Sequence, residues 1–244
     1  MNPNNTVEKM QSMRMKTMAD LYRRSLTENL YSELSIDDFM AMLIDSEWED
    51  RQRKKIANLI KRANFKMQAC LTDIDYHPDR GLDKTLVQRL AELNFIKNAE
   101  NVILTGATGV GKSYLAQAIG NMACQMLYKT RYFITGRFFD AAKLARLDGT
   151  YGKMMGQLEK TDLLILDDFG LHSMDQANRQ VLLDIIEQRH GLKSTVIASQ
   201  IPVSEWHGLI GEGTIADAIL DRLVYSSHRI DLKGESLRKK QRLT

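Results

Sequence analysis

Residues 106–113 read GATGVGKS. The spacing is glycine, four residues, then Gly-Lys-Ser, and each position has a chemical reason. Glycines let the backbone curl so that successive N–H groups face one anionic group. Lys112 has the reach to meet the β- and γ-phosphates of a nucleotide, and the Ser113 hydroxyl is a hard oxygen ligand for Mg²⁺. The apolar run NVILT at 101–105 reads as a strand, and the segment from Lys112 reads as a helix with Leu115, Ala118, Ile119 and Met122 on one face. A strand before and a helix after are the context that a phosphate-binding loop needs. The expected nucleotide-binding set is therefore Gly106, Ala107, Thr108, Gly109, Val110, Gly111, Lys112 and Ser113, with ATP and Mg²⁺ as cofactors.

A second cluster stands at residues 163–168, LLILDD. An apolar strand that ends in acids brings Asp167 to the cation, directly or through water. Asp168 then stands where a carboxylate orients and deprotonates the attacking water. It is one methylene shorter than the glutamate common at that position. A third strand, TVIAS at 195–199, is followed by Gln200. In P-loop proteins with an additional central strand, a polar residue here meets the γ-phosphate or its water, and both Ser199 and Gln200 are candidates. A lone arginine, Arg222, follows Asp221 near the end of a helix. Two readings stand for it, a surface ion pair or an arginine finger for a neighbouring subunit.

These residues need elements to hold them. From about residue 86 the pattern alternates strands (101–105, 131–134, 163–167, 195–199, 228–232) with helices (112–128, 138–147, 178–190, 215–223). That alternation predicts an α/β domain with a five-stranded parallel sheet covered on both faces. Residues 6–70 carry helical periodicity, with no glycine before Gly81 and only Pro3 as an early proline, and predict a small all-helical domain. Ser35 with Asp38 three residues on is a helix-start signal. Residues 71–85 hold proline, glycine and turn formers and read as a linker. The expected division is thus 1–70 helical, 71–85 linker and 86–244 ATPase.

The net charge of +3 is small, so the placement of charge says more than its sum. From residue 51 to 72 the chain has Arg51, Arg53, Lys54, Lys55, Lys61, Arg62 and Lys66 and no acid. Such a run reads either as a solvated face or as a surface for nucleic-acid phosphates. Lys143, Arg146 and Lys153, near Gly149 and Gly152, form another basic group, and the tail with Arg238, Lys239, Lys240 and Arg242 a third. There is no apolar run of membrane-spanning length and no signal-peptide core. Cys70 and Cys124 are far apart, and the five histidines lack metal-ligand spacing. These features predict a cytoplasmic protein with free thiols.

Five strings carry a resemblance over nearly the whole chain: LTDIDYHPDRGLDK, FIKNAENVILTGATGVGKSYLAQAIG, TDLLILDDFG, ASQIPVSEW and IADAILDRLVYSSHRIDLKGESLRK. In this order the chain resembles the IstB family, AAA+ ATPases encoded beside the transposase IstA in bacterial insertion sequences. The helicase loader DnaC is related. The resemblance implies an AAA+ core with strand order five-one-four-three-two; as a departure from AAA+ proteins, no C-terminal helical lid is expected, because the chain ends soon after its last strand. It implies that Arg222 is the arginine finger and that Arg238 is a second phosphate-sensing arginine. Residues 73–76, with Ile74 and Tyr76, would then lie near the adenine. It also implies self-assembly on duplex DNA with ATP, nucleotide sites between subunits of a homo-oligomer, and delivery of that DNA to IstA. Gln200 departs from the asparagine frequent in the family. The alternative is a helicase loader. A small-molecule kinase needs a lid and an acceptor pocket, and the paired acids argue against it.

Overall fold

The computed structural model describes residues 3–29, 34–172, 174–211 and 213–237. It divides into two compact units, Met1–Asn58 and Leu59–Thr244.

The first unit is helical, with α1 (Pro3–Ser12), α2 (Lys16–Glu28) and most of α3 (Ile36–Ala63). The Ser35 signal is used as a cap. Its Oγ accepts from the Asp38 N–H at 3.1 Å and donates to the Asp38 carboxylate at 2.6 Å. Helix does not continue to residue 70 as the periodicity predicts, because Asn64 turns left-handed at φ +62°. The basic run that starts at Arg51 is also not unbalanced at its beginning. Arg51 pairs with Glu47 at 2.8 Å, and Arg53 and Lys54 both meet Asp50, one helical turn earlier. Burial raises the Glu47 pKa, but hydrogen bonds from Arg51 and the Met18 N–H outweigh it and leave the carboxyl below its usual range. Lys55, Lys61 and Arg62 are exposed on the same helix.

The second unit continues with α4 (Lys84–Ala91), α5 (Asn94–Lys97), β1 (Asn101–Gly106), α6 (Lys112–Gln125), β2 (Thr130–Ile134) and α7 (Thr135–Leu147). Then follow α8 (Tyr151–Glu159), β3 (Leu163–Phe169), α9 (Gln176–Arg189), β4 (Ser194–Ser199), α10 (Trp206–Ile210), α11 (Gly213–Val224) and β5 (Ser227–Leu232). The five strands are parallel in the order β2-β3-β4-β1-β5, the expected order read from the other edge. Helix α8 was not legible, because Gly152 and Gly156 lie within it and lower its propensity.

Alternation along β1 sends Val102 and Leu104 to one face and Ile103 to the other. One face packs on Leu115 and Ile119 of α6, the other on Phe138, Leu182, Trp206 and Ile219. Both faces of the central strands are therefore dry, as a parallel sheet requires.

A buried arginine braces the end of the sheet away from the phosphate loop. Arg189, 1% exposed, donates Nη1 to the carbonyls of Leu158 and Thr161, both at 2.8 Å, and Nη2 to that of Ser194. Burial pulls its pKa down to about 10, which still leaves it charged at neutral pH. Arg189→Met removes every one of those donors from a closed interior. The expected cost is about 3 kcal/mol or more of unfolding free energy in a urea titration. A loss below about 1 kcal/mol would mean that water reaches these carbonyls.

Candidate nucleotide site

The loop after β1 is built around two glycines that no other residue replaces easily. Gly106 sits at φ +138°, with the carbonyl oxygen of Leu232 where a Cβ would stand. Gly109, at φ +84°, has the Ser236 side chain in that position. The loop then feeds α6, whose N-terminus supplies free N–H groups and a favourable dipole for an anion. Lys112 is 7% exposed, and its Nζ donates to the carbonyls of Gly106 at 2.7 Å and Ala107 at 2.8 Å.

Asp167 is 2% exposed and is the hub of the acidic strand. Its Oδ1 accepts from Ser113 Oγ at 3.0 Å and from the Asp168 N–H at 2.9 Å. Its Oδ2 accepts from the Tyr132 hydroxyl at 2.7 Å, and its carbonyl from Thr135 Oγ1 at 2.8 Å. Burial, and after it the Asp167 carboxylate, push the Tyr132 phenol far above its usual pKa, so it is a permanent donor. A buried carboxylate with neutral donors, next to a serine hydroxyl, is a hard-oxygen donor set that suits Mg²⁺.

Strict alternation would send Asp167 and Asp168 to opposite faces. It is broken here. Leu166 pairs with Ile197, but Phe169 pairs with Ser199, so β3 spends one more residue than β4. This bulge sets Asp168 at φ +55°, a left-handed conformation that aspartate tolerates. Asp168 consequently lines a cavity of about 430 Å³ together with Lys112, Ser113, Thr108 and Gln200. Ser199, the other candidate on β4, is used structurally. Its Oγ donates to the Phe169 carbonyl at 2.8 Å and accepts from the Ile201 N–H at 3.0 Å.

A second cavity, of about 360 Å³, shares Gly111, Tyr114 and Leu237 with the first. Ile74, Leu82, Leu115 and Leu232 give it apolar walls, and Asp73, Asp75 and Arg80 its polar ones. It has the position and character of a pocket for the base of a nucleotide whose phosphates lie on the loop. Ile74 is in this wall; Tyr76 packs close by with Lys84 over its ring. Arg80 escaped the sequence reading. It is buried, and donates Nη1 to the Asp75 carbonyl and Nη2 to the Val110 carbonyl at 2.9 Å, so it ties residues 73–80 to the loop. Residues 71–85 are therefore no slack linker. Tyr114 and Leu237 were also missed. The Leu237 N–H donates to the Gly109 carbonyl at 3.0 Å, which brings the GES segment onto the loop. Arg238 lies outside the described residues. A larger open groove, about 720 Å³, runs beside Lys61, Phe65, Lys66, Asn121 and Gln125 and contains no residue of the phosphate loop.

Arg222 is not brought to this site. Its carbonyl, and that of Leu223, accept from Asn101 Nδ2 at 3.1 and 3.2 Å, at the first residue of β1. The phosphate loop follows the last residue of β1, about 16 Å of strand away. The Arg222 side chain donates Nη1 to the Ala218 carbonyl at 2.8 Å and pairs with Glu187 at 3.3 Å. Among the other basic candidates, Arg146 is engaged with Asp184 at 3.3 Å and with the Tyr151 ring, whereas Lys143 and Lys153 are exposed.

The family model for IstB-like ATP binding proteins matches residues 8–244. The chain belongs to this family. An insertion sequence ATP-binding protein of Sinorhizobium fredii is 41% identical over 237 residues, covering 97% of both chains. The IS1162 ATP-binding protein of Pseudomonas fluorescens is 37% identical over 200 residues, 82% of this chain and 87% of that one. Among solved structures, the crystal structure of DnaI has a TM-score of 0.60 at 23% identity, over 72% of this chain and 94% of that one. The DnaC helicase loader has a TM-score of 0.57 at 18% identity, over 71% and 98%. These likenesses place the IstB-like chain in the AAA+ P-loop fold, with an ATP-binding site. No described helix is long and apolar enough to cross a membrane.

Proposed function

We propose that this IstB-like chain is an ATPase that assembles on duplex DNA when ATP is bound and delivers that DNA to the transposase IstA, in the cytoplasm. The observation that carries the reading is the separation just described. Lys112, Ser113, Asp167, Asp168 and Gln200 converge on one end of the sheet, while Arg222 stands at the other. Among the described residues the site has a phosphate loop and a water-activating pair but no arginine lining it, and Arg222 of a neighbour completes it. ATP then bridges two copies, with Arg222 of one facing the γ-phosphate held by the other, and the γ-phosphate favours the assembled state.

In this mechanism Lys112 and the loop N–H groups hold the phosphates in line. Ser113 and Asp167 are the residues that would hold Mg²⁺, which would supply positive charge against the phosphates. Asp168 accepts a proton from the attacking water while Gln200 orients it. Once the γ-phosphate has left, Arg222 has lost its partner across the interface and returns to Glu187 of its own chain, and the assembly loosens. DNA contacts are to phosphates, and Lys55, Lys61, Arg62, Lys143 and Lys153 are among the exposed cations that suit them.

The test is particle mass with a duplex of a few tens of base pairs, in ATP and in ADP. A large complex only with both ATP and duplex is the expected result. A chain that stays monomeric on duplex in every nucleotide state overturns the assembly mechanism. Assembly with a replicative helicase and single strands instead would favour the loader.

A further inference from the structure

Asp167 has two carboxylate oxygens, and only one of them faces Ser113. The other is held by a residue on a different strand. Ile134 of β2 is the register partner of Asp167, and Tyr132 lies two residues before it. Residues at i and j±2 share a face of a sheet at a diagonal that a long aromatic side chain can span. The Tyr132 hydroxyl spans it and donates to Oδ2 at 2.7 Å. Both partners are closed off from solvent, Tyr132 at 4% and Asp167 at 2% exposure. The ring is held in turn by Phe65, which meets it edge-on with centroids 6.4 Å apart.

We propose that Tyr132 is a positioning residue for the cation: by fixing Oδ2 of Asp167, it keeps Oδ1 turned toward Ser113. The proposal rests on the reading of Ser113 and Asp167 as the Mg²⁺ pair. The terminal torsion of an aspartate is broad, so a carboxylate without this donor, held through Oδ1 by the Ser113 hydroxyl and the Asp168 N–H, spreads over a wider range of orientations. Only those close to the observed plane present one of the two equivalent oxygens to a cation beside Ser113. Groups that orient a metal ligand from behind commonly change metal affinity by about ten- to a hundredfold when removed. Tyr132 does not reach the nucleotide loop itself, so its effect is expected in the cation dependence and not in nucleotide binding as such.

The experiment is a Mg²⁺ titration, starting from chelator, of the binding of a fluorescent, non-hydrolysable ATP analogue to the full chain. Tyr132→Phe should raise the half-saturating Mg²⁺ about tenfold while Mg²⁺-free binding of the analogue stays within about twofold of wild type. Asp167→Asn is the control for the metal reading and should lose the Mg²⁺ response. If Asp167→Asn responds to Mg²⁺ as wild type does, the metal reading falls and this proposal with it. If Asp167→Asn loses the response but Tyr132→Phe follows the wild-type curve, Tyr132 alone is misassigned. Phe65→Leu loosens the ring and keeps the hydroxyl. A shift equal to that of Tyr132→Phe, or an equal loss of binding with and without Mg²⁺ in Tyr132→Phe, assigns the effect to packing and overturns the proposal.

Discussion

Lys112→Ala should abolish ATP binding at concentrations that saturate the wild type. The lysine is the one buried cation of the loop, held over the carbonyls of Gly106 and Ala107. Charge-assisted hydrogen bonds to phosphate are worth roughly 1.5–3 kcal/mol each, and Lys112 can offer two or three. The loss is therefore at least about 100-fold in Kd. The fold should survive, since the β1–β4 and β1–β5 pairings do not depend on that ammonium. Equilibrium binding of a fluorescent ATP analogue checks the first statement and far-ultraviolet circular dichroism the second. Retained binding with a folded protein would remove the phosphate loop from the mechanism.

Arg222→Ala should leave ATP binding within about threefold of wild type and lower turnover by a factor of about 100 or more. Within one chain its guanidinium pairs with Glu187, where the two side chains are 30% and 50% exposed. A pair that open to solvent is worth less than about 1 kcal/mol. It can thus be exchanged for a neighbour's γ-phosphate at little cost, and its loss does little to stability. The decisive measurement mixes two inactive variants. Lys112→Ala keeps its arginine but cannot bind ATP, and Arg222→Ala binds ATP but lacks the arginine. Together on duplex DNA they should form composite sites and recover turnover. Normal turnover by Arg222→Ala alone, or no recovery on mixing, counts against a finger supplied between subunits.

Much of the chemistry was legible in the sequence because it is written in short contiguous segments. A strand, six or seven loop residues and a helix suffice to specify the curl that presents Lys112 and Ser113. A run such as LLILDD announces both a doubly buried strand and the acids at its end. The five parallel strands followed from the alternation alone. The pairing of the basic run was within reach too, since Glu47 and Asp50 stand one turn before Arg51, Arg53 and Lys54. A window opened at Arg51 hides them.

Other features depend on which strands become neighbours and in what register, and these are properties of the assembled sheet. The bulge that turns Asp168 into the cavity exists only because β3 and β4 are paired out of step. Ser199 and Gln200 were equal candidates until the Ser199 hydroxyl was found engaged by the backbone of Phe169 and Ile201. Arg80 and Leu237, far apart in the chain, meet at Gly111 to wall the second cavity. Tyr132 read as one more strand residue until its hydroxyl met Asp167 across β2 and β3. The sequence by itself determined the phosphate loop, the acidic strand and the α/β architecture, because local periodicity and spacing encode them. Only the tertiary structure decided which polar groups face the phosphates and which brace the backbone, because that choice is made by partners distant in the chain.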